Sequence, residues 1–215
     1  MGRFQSRSNA RTSRRGEPPP VKSTADEPRL RSFIAIGLAD PARTAVVKYL
    51  ERLRATVGGV AWTRAENLHL TLKFLGDVAA ERIPSLADRL RAVAAGTRPF
   101  TLRVVGVGVF PNLARPRALW VDVVSPALPP LVHAVEVACV AEGFEPERRP
   151  LHPHVTLGRI RAPSRRGASD LALLAADGSR EFGVATVESV VLFRSEIRSS
   201  GARHTSLATW PLQGG

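Results

Sequence analysis

The sequence contains the pattern H-x-T-x twice, as HLTL beginning at His69 and as HVTL beginning at His154. Both copies lie in runs rich in β-branched and aliphatic residues, which are typical of strands. Because alternate side chains of a strand share a face, His69 and Thr71 point one way while the intervening leucines point the other way. His154 and Thr156 are related in the same manner. Two such strands at equivalent places predict a duplicated fold unit.

The segments around the two patterns follow one order, strand, helix, strand, helix, strand. In the first copy the predicted segments are 32–38 (strand), 40–59 (helix, with Asp40 as N-cap and Pro41 as first residue), 68–76 (strand), 81–96 (helix) and 100–110 (strand). In the second copy they are 118–124 (strand), 125–144 (helix), 154–160 (strand), 169–177 (short helix) and 185–197 (strand), with 204–212 as an additional strand. This order predicts an α+β fold with two pseudo-repeat lobes, approximately 31–110 and 117–212.

The first 28 residues are rich in Arg, Ser and Pro and poor in apolar residues. Such a composition cannot bury enough apolar surface to offset the entropy of ordering, so we predict a disordered basic tail before a folded domain at 29–215. The whole chain has 31 Lys and Arg against 19 Asp and Glu, a formal charge of +12. This excess favours an anionic partner, and Arg, which supplies nearly all of it, suits phosphate. A genome-wide preference for Arg codons would produce the same charge.

A single cysteine, Cys139, excludes internal disulfides and metal sites built from several cysteines. No apolar run reaches the roughly 20 residues that cross a bilayer, and the amino terminus lacks the apolar segment of a secretion signal. We therefore expect a cytoplasmic protein with no membrane partner, and a monomer is the default.

The paired motifs suit a displacement at phosphorus. If an approximate two-fold axis relates the copies, the two histidines flank one substrate atom across a shared groove. One imidazole would then take a proton from the attacking oxygen while the other protonates the departing oxygen. Thr71 and Thr156 would donate hydrogen bonds to the non-bridging oxygens. The spacing does not tell the two histidines apart.

These stretches resemble the 2H phosphoesterase superfamily, most closely its RNA 2′,3′-cyclic phosphodiesterase branch, also called 2′-5′ RNA ligase or LigT-like. The matching stretches run from residue 31 to 212 and include RSFIAIGL, WTRAENLHLTLKFLGDV, GVGVFPNLARPRALWVDV, GFEPERRPLHPHVTLGRI and SVVLFRSEIRSSGARHTSLATWPL. The resemblance implies a bilobal fold with two antiparallel-rich sheets around a central groove. It also implies hydrolysis of an RNA 2′,3′-cyclic phosphate to a 2′-phosphomonoester, with reversible 2′-5′ ligation in vitro and with no cofactor and no required metal.

The resemblance also implies roles for particular residues. His69 matches the proton donor, His154 the proton acceptor, and Thr71 and Thr156 the hydroxyls that bind the phosphate. His204 stands where the family usually has a tyrosine, which is a departure from the family pattern.

Further residues are candidates for substrate contact. Lys73 follows Thr71 by two positions and shares its face if the strand is regular, although a solvated strand end explains it nearly as well. The other candidates are Arg64, Arg117, Arg149, Trp62 and Phe110, of which the two aromatic residues fit the core equally well.

Two alternative functions remain open at this point. His152, His154 and His69 could together hold a zinc ion. Against this, Pro153 separates the adjacent pair, and the first copy has no counterpart of His152. A non-catalytic RNA- or nucleotide-binding module would explain the charge but not the presence of histidine in both motifs. The fifth histidine, His133, lies in a predicted helix, where a partly buried structural role is expected.

Overall fold

The computed structural model describes residues 1, 28–161, 177–198 and 201–214. The predicted tail, 1–28, and the predicted short helix, 169–177, lie outside the described residues except at their ends. Within the described residues the chain forms nine strands and three α-helices. The strands are β1 (Arg29–Gly37), β2 (Val60–Trp62), β3 (His69–Ala79), β4 (Phe100–Phe110), β5 (Ala118–Val124), β6 (His154–Ile160), β7 (Glu181–Val187), β8 (Ser189–Arg198) and β9 (Gly201–Pro211). The helices are α1 (Ala42–Thr56), α2 (Ile83–Ala95) and α3 (Leu128–Ala141).

The predicted bounds of β4, β5 and β6 agree with the structure, whereas the other predicted elements begin or end at different residues. Helix α1 begins at Ala42 with Pro41 as its N-cap, one residue later than predicted, although Asp40 still accepts hydrogen bonds from the amide and the hydroxyl of Thr44. The predicted strand 185–197 is two strands, β7 and β8, interrupted at Glu188. Strand β2 was not predicted, because three residues are too few to show a period.

All strand pairings are antiparallel, in the order β7-β4-β5-β6-β3-β1-β8-β9, with β2 paired to β6. The two halves of this sheet meet where β3 lies beside β6, and only one residue pair, Leu70 with Val155, joins them there. We call this junction the seam. The structure thus has the α+β class and the two antiparallel halves that were expected, joined as one continuous sheet.

Each half of the sheet takes strands from both sequence copies. Strand β4 of the first copy pairs with β5 of the second, and β8 of the second copy pairs with β1 of the first. A short connection between antiparallel strands favours pairing, which explains why β4 and β5 are neighbours. The halves of the sheet therefore differ in membership from the predicted pseudo-repeat lobes at 31–110 and 117–212.

The hydrophobic core lies on the face of the sheet that the three helices cover. Leu70 and Val155 of the seam are 4% and 0% exposed and belong to one cluster with Leu50 of α1, Leu86 of α2 and Leu131 of α3. Burying each such side chain contributes about 1.5–3 kcal/mol. The apolar positions of both H-x-T-x patterns thus anchor their strands to the core, which leaves the His and Thr positions on the other face. No helix of the described residues is long and apolar enough to cross a membrane.

Candidate active site

The two motifs lie side by side across the seam. Because Leu70 pairs with Val155 in an antiparallel register, the two His and Thr pairs flank the same point of the sheet and run in opposite directions. A groove of about 470 Å³ opens on this face, and His69, Thr71 and Thr156 line it. His154, two residues before Thr156 on β6, is not among the groove's lining residues in the described part of the chain and lies opposite Asp122 of β5.

Both histidines are held by the same kind of hydrogen bond. Nδ1 of His69 lies 2.7 Å from the carbonyl oxygen of Asn67, and Nδ1 of His154 lies 2.7 Å from the carbonyl oxygen of His152. A carbonyl oxygen can only accept, so Nδ1 donates in each case and Nε2 is the nitrogen left for chemistry. In His69 this Nε2 lies 3.1 Å from the hydroxyl oxygen of Thr71.

Burial lowers the pKa of both motif histidines. The pKa of His69 falls from 6.5 to about 4, mainly because burial penalises the charged form, and protonated His204 and His154 add repulsion. Burial also lowers the pKa of His154, while the hydrogen bond to the carbonyl of His152 and the carboxylate of Asp122 oppose the shift. The unliganded site therefore favours neutral imidazoles, and a bound anion would favour protonation.

Aromatic rings surround both imidazoles. The ring of His69 stacks on Phe33 with centroids 4.8 Å apart and meets the edge of His204 at 5.2 Å. The ring of His154 meets Phe110 edge-on at 5.0 Å. Phe110 was a candidate either for stacking on a substrate base or for the core, and its ring contacts His154 and, at 5.0 Å, His152. These contacts restrict the orientation of both motif imidazoles.

A repeated β-bulge follows each threonine and changes which residues face the groove. The pairing of β3 with β1 shifts by one residue between Thr71 and Lys73, and the pairing of β6 with β5 shifts between Thr156 and Gly158. In both strands two consecutive residues are therefore buried, Leu72 and Lys73 in β3 and Leu157 and Gly158 in β6, and the next residue is exposed. The exposed residue is Phe74 in β3 and Arg159 in β6, and both line the groove.

The bulge corrects the prediction for Lys73. A regular strand would have placed Lys73 beside Thr71 in the groove, but the extra residue turns Lys73 to the core face, where its side chain is 4% exposed. There Nζ of Lys73 lies 2.8 Å from a carboxylate oxygen of Glu136 in α3. Lys73 therefore does not contact a substrate in the groove.

The other predicted contact residues are divided between the groove and its surroundings. Arg64 and Trp62 line the groove. Arg117 and Arg149 are not among its lining residues in the described part of the chain; Arg117 follows the β4–β5 connection, and Arg149 is an exposed residue paired with Glu147. Four further arginines that were not singled out from the sequence do line the groove, namely Arg31, Arg159, Arg161 and Arg198. Only the sheet topology brings these arginines together.

The remaining histidines have different surroundings. His204 lines the groove next to His69, whereas His152 is exposed, contacts Trp120 edge-on at 4.7 Å and supplies the carbonyl that holds His154. His133 is exposed on α3 rather than partly buried as expected. Among the described residues, no three His, Cys, Asp or Glu side chains are grouped so that they could hold a metal ion.

A duplicated α+β fold with one His and Thr pair from each copy on adjacent strands defines the class of two-histidine phosphoesterases. The model of the family described as LigT like phosphoesterase matches this chain twice, over residues 36–120 and 121–203. The chain therefore belongs to the LigT-like phosphoesterase family.

Named relatives and solved structures agree with this membership. A Methanothermobacter thermautotrophicus protein named RNA 2′,3′-cyclic phosphodiesterase is 33% identical over 86% of this chain and 100% of its own length. An Archaeoglobus fulgidus protein of the same name is 31% identical over 83% of this chain and 98% of its own. The crystal structure of TT0787 of Thermus thermophilus has a TM-score of 0.74 with 28% identity, covering 86% of this chain and 99% of that one. Escherichia coli LigT complexed with 3′-AMP has a TM-score of 0.65 with 25% identity, covering 86% and 98%.

Proposed function

We propose that this protein hydrolyses the 2′,3′-cyclic phosphodiester end of an RNA to a 2′-phosphomonoester, without a metal ion. The observation that carries the proposal is the pair of His and Thr side chains on adjacent strands, each imidazole held through Nδ1 by a backbone carbonyl. Nε2, which in His69 also contacts the hydroxyl of Thr71, is the nitrogen left for proton transfer. The names of the family relatives, RNA 2′,3′-cyclic phosphodiesterase, support the same reaction.

In the proposed reaction His154 accepts a proton from the attacking water through Nε2. The new oxygen–phosphorus bond forms while the bond from phosphorus to O3′ breaks, and Nε2–H of His69 protonates the departing O3′. Thr71 and Thr156 donate hydrogen bonds to the non-bridging oxygens, on which charge accumulates. The product carries a 2′-phosphate and a free 3′-hydroxyl. The assignment of donor and acceptor follows the family resemblance.

The charge of the groove supports an RNA substrate. Arg31, Arg159 and Arg161 are exposed at the groove and form no ion pair with a carboxylate in the described part of the chain, whereas Arg198 is paired with Glu196. Exposed arginines of this kind bind phosphate groups of a strand without reading its sequence. We further propose that residues 29–215 form the catalytic domain behind the tail and that the enzyme acts as a cytoplasmic monomer.

The proposal is tested with a short RNA that ends in a 2′,3′-cyclic phosphate, incubated with the protein in the presence of a chelator. Mass spectrometry, with authentic 2′- and 3′-phosphate standards on a separating column, identifies the product. The expected product is the 2′-phosphate. Loss of activity on exhaustive chelation and its return with zinc would contradict the metal-free reaction, and binding without turnover would indicate a binding module.

Histidine variants test the assigned residues. His69→Ala and His154→Ala should each abolish turnover and still bind the cyclic-phosphate RNA measurably. His133→Ala is the matched control, because His133 is exposed on α3 and outside the groove lining. Normal turnover in both motif variants would overturn the two-histidine mechanism.

A further inference from the structure

The seam that brings the two motifs together is narrow. Leu70 and Val155 form the one residue pair between β3 and β6, whereas the neighbouring strands of each half pair over many residues. Catalysis by His69 and His154 requires a defined separation between these strands. The one pair between β3 and β6 resists sliding little by itself. The three residue pairs between β2 and β6 hold the chain just before β3, and contacts behind β3 add to them.

Directly behind β3, the ammonium of Lys73 is fully satisfied in the core. Its Nζ donates to both carboxylate oxygens of Glu136, at 2.9 and 2.8 Å, and to the backbone carbonyl of Glu145, at 2.9 Å. These acceptors account for its three donors. Because a buried charge without partners is costly, the lysine constrains the position of every group that it contacts.

The same carboxylate also holds the segment that leads into the second motif. Oε1 of Glu136 accepts a hydrogen bond of 2.8 Å from the backbone amide of Glu147. The carboxylate of Glu147 in turn accepts hydrogen bonds from the amide and guanidinium of Arg149. This segment, residues 144–153, has no helix or strand and is largely exposed. The contact of Glu147 with the core holds its middle, and the carbonyl of Pro153, which accepts a hydrogen bond from the amide of Val123, holds its end before β6.

From that anchor the chain reaches the second histidine over a short, stiff stretch. Pro150 and Pro153 restrict the backbone between Glu147 and β6. The carbonyl of His152, within this stretch, accepts the Nδ1 hydrogen bond of His154. The placement of residue 147 therefore influences the carbonyl that orients the second imidazole.

We propose that Lys73 and Glu136 form a clamp behind β3 that positions the two halves of the active site, by tying β3 to the 144–153 segment that orients His154. Lys73 and Glu136 are positioning residues and do not touch the substrate. The expected loss of kcat rests on the proposed function. The expected faster hydrogen exchange at Glu147 does not depend on which reaction the protein catalyses.

The double variant K73M/E136M separates positioning from stability. Replacing both members of a buried ion pair by apolar residues of similar size is often neutral for stability; here Lys73 is buried and Glu136 is partly buried. We expect an unchanged melting temperature, a kcat lowered roughly tenfold to a hundredfold and an unchanged KM. Hydrogen exchange should become faster at the Glu147 amide. Removal of the exposed pair Arg103 and Glu181 by R103M/E181M is the matched control and should change none of these quantities.

A second pair of variants tests the clamp without altering the buried charges. Glu147→Pro removes the amide that donates to Glu136, whereas Glu147→Ala keeps that amide and removes only the side chain. The proline variant should lower kcat, and the alanine variant should retain it. If K73M/E136M does not fold, the kcat values of the two Glu147 variants test the clamp.

The clamp would be overturned by unchanged kcat in folded K73M/E136M or by equal kcat in the two Glu147 variants. Unchanged hydrogen exchange at Glu147 in the double variant would also overturn it, whether or not the protein turns over a cyclic phosphate. Absence of phosphodiesterase activity in the wild-type protein would instead refute the proposed function. The hydrogen-exchange comparison would then be the test of the clamp.

Discussion

The pH dependence of turnover should differ between free enzyme and enzyme–substrate complex, because the site lowers the pKa of both motif histidines. For His69 the pKa falls from 6.5 to about 4, which corresponds to roughly 3 kcal/mol against charging this imidazole. A phosphate anion about 4 Å away contributes about 4 kcal/mol in the opposite direction at an effective dielectric constant of about 20. Substrate binding is therefore sufficient to return the proton that the donor needs.

Two bell-shaped profiles follow from this balance. The profile of kcat/KM reports the free enzyme and should reach its maximum below pH 6.5, the ordinary pKa of histidine. The profile of kcat reports the complex and should lie about one pH unit or more higher. His204→Phe should move the kcat/KM profile towards higher pH, since it removes a neighbouring imidazolium that lowers the pKa of His69.

Initial rates on a cyclic-phosphate RNA between pH 4.5 and 9 at constant ionic strength would measure both profiles. Single-turnover rates should accompany them, so that slow product release does not conceal the chemical step. Coincident profiles centred at or above pH 6.5 would refute this reasoning about His69.

Three further outcomes are expected. Burial lowers the folded-state pKa of His69, so the unfolded chain binds more protons below pH 6.5 and the free energy of unfolding falls as the pH drops towards 4. In urea unfolding, the free energy of unfolding of His69→Asn should fall by about 2.5 kcal/mol less than that of the wild type between pH 7 and 4.5. Thr71→Val and Thr156→Val should each lower kcat by roughly 10²- to 10³-fold with substrate binding largely kept, and single-turnover rates would detect the loss. Arg159→Gln should raise KM and reduce the salt dependence of binding by about one unit of slope, whereas Arg103→Gln, outside the groove, should do neither.

The period of two around each motif was sufficient to predict which side of its strand faces the core. Leu70 and Val155 are buried, and the His and Thr positions are on the opposite face, because alternation along a strand is a local property of the backbone. The bounds of β4, β5 and β6 followed from the same local pattern. The stretch 185–197 contained no turn residue that signalled its interruption at Glu188, so two strands were predicted as one.

The error at Lys73 has a specific cause. Alternation predicts a groove position, but the bulge after Thr71 is set by the pairing of β3 with β1 and by the carboxylate of Glu136 on a distant helix. Neither partner is visible from the residues that flank Lys73. The equivalent bulge after Thr156 turns Arg159 into the groove, which is why that arginine was missed.

By itself the sequence determined the duplicated strand and helix order, the residues that could perform proton transfer, and the family resemblance, since these depend on local periodicity and residue chemistry. Only the tertiary structure decided that the two motifs meet at a single bridging pair, that each half of the sheet takes strands from both copies, and that five arginines share one groove. It also placed Lys73 behind the site instead of within it. These features depend on contacts between residues far apart in the chain, and the free energy of such contacts is defined only once the sheet has formed.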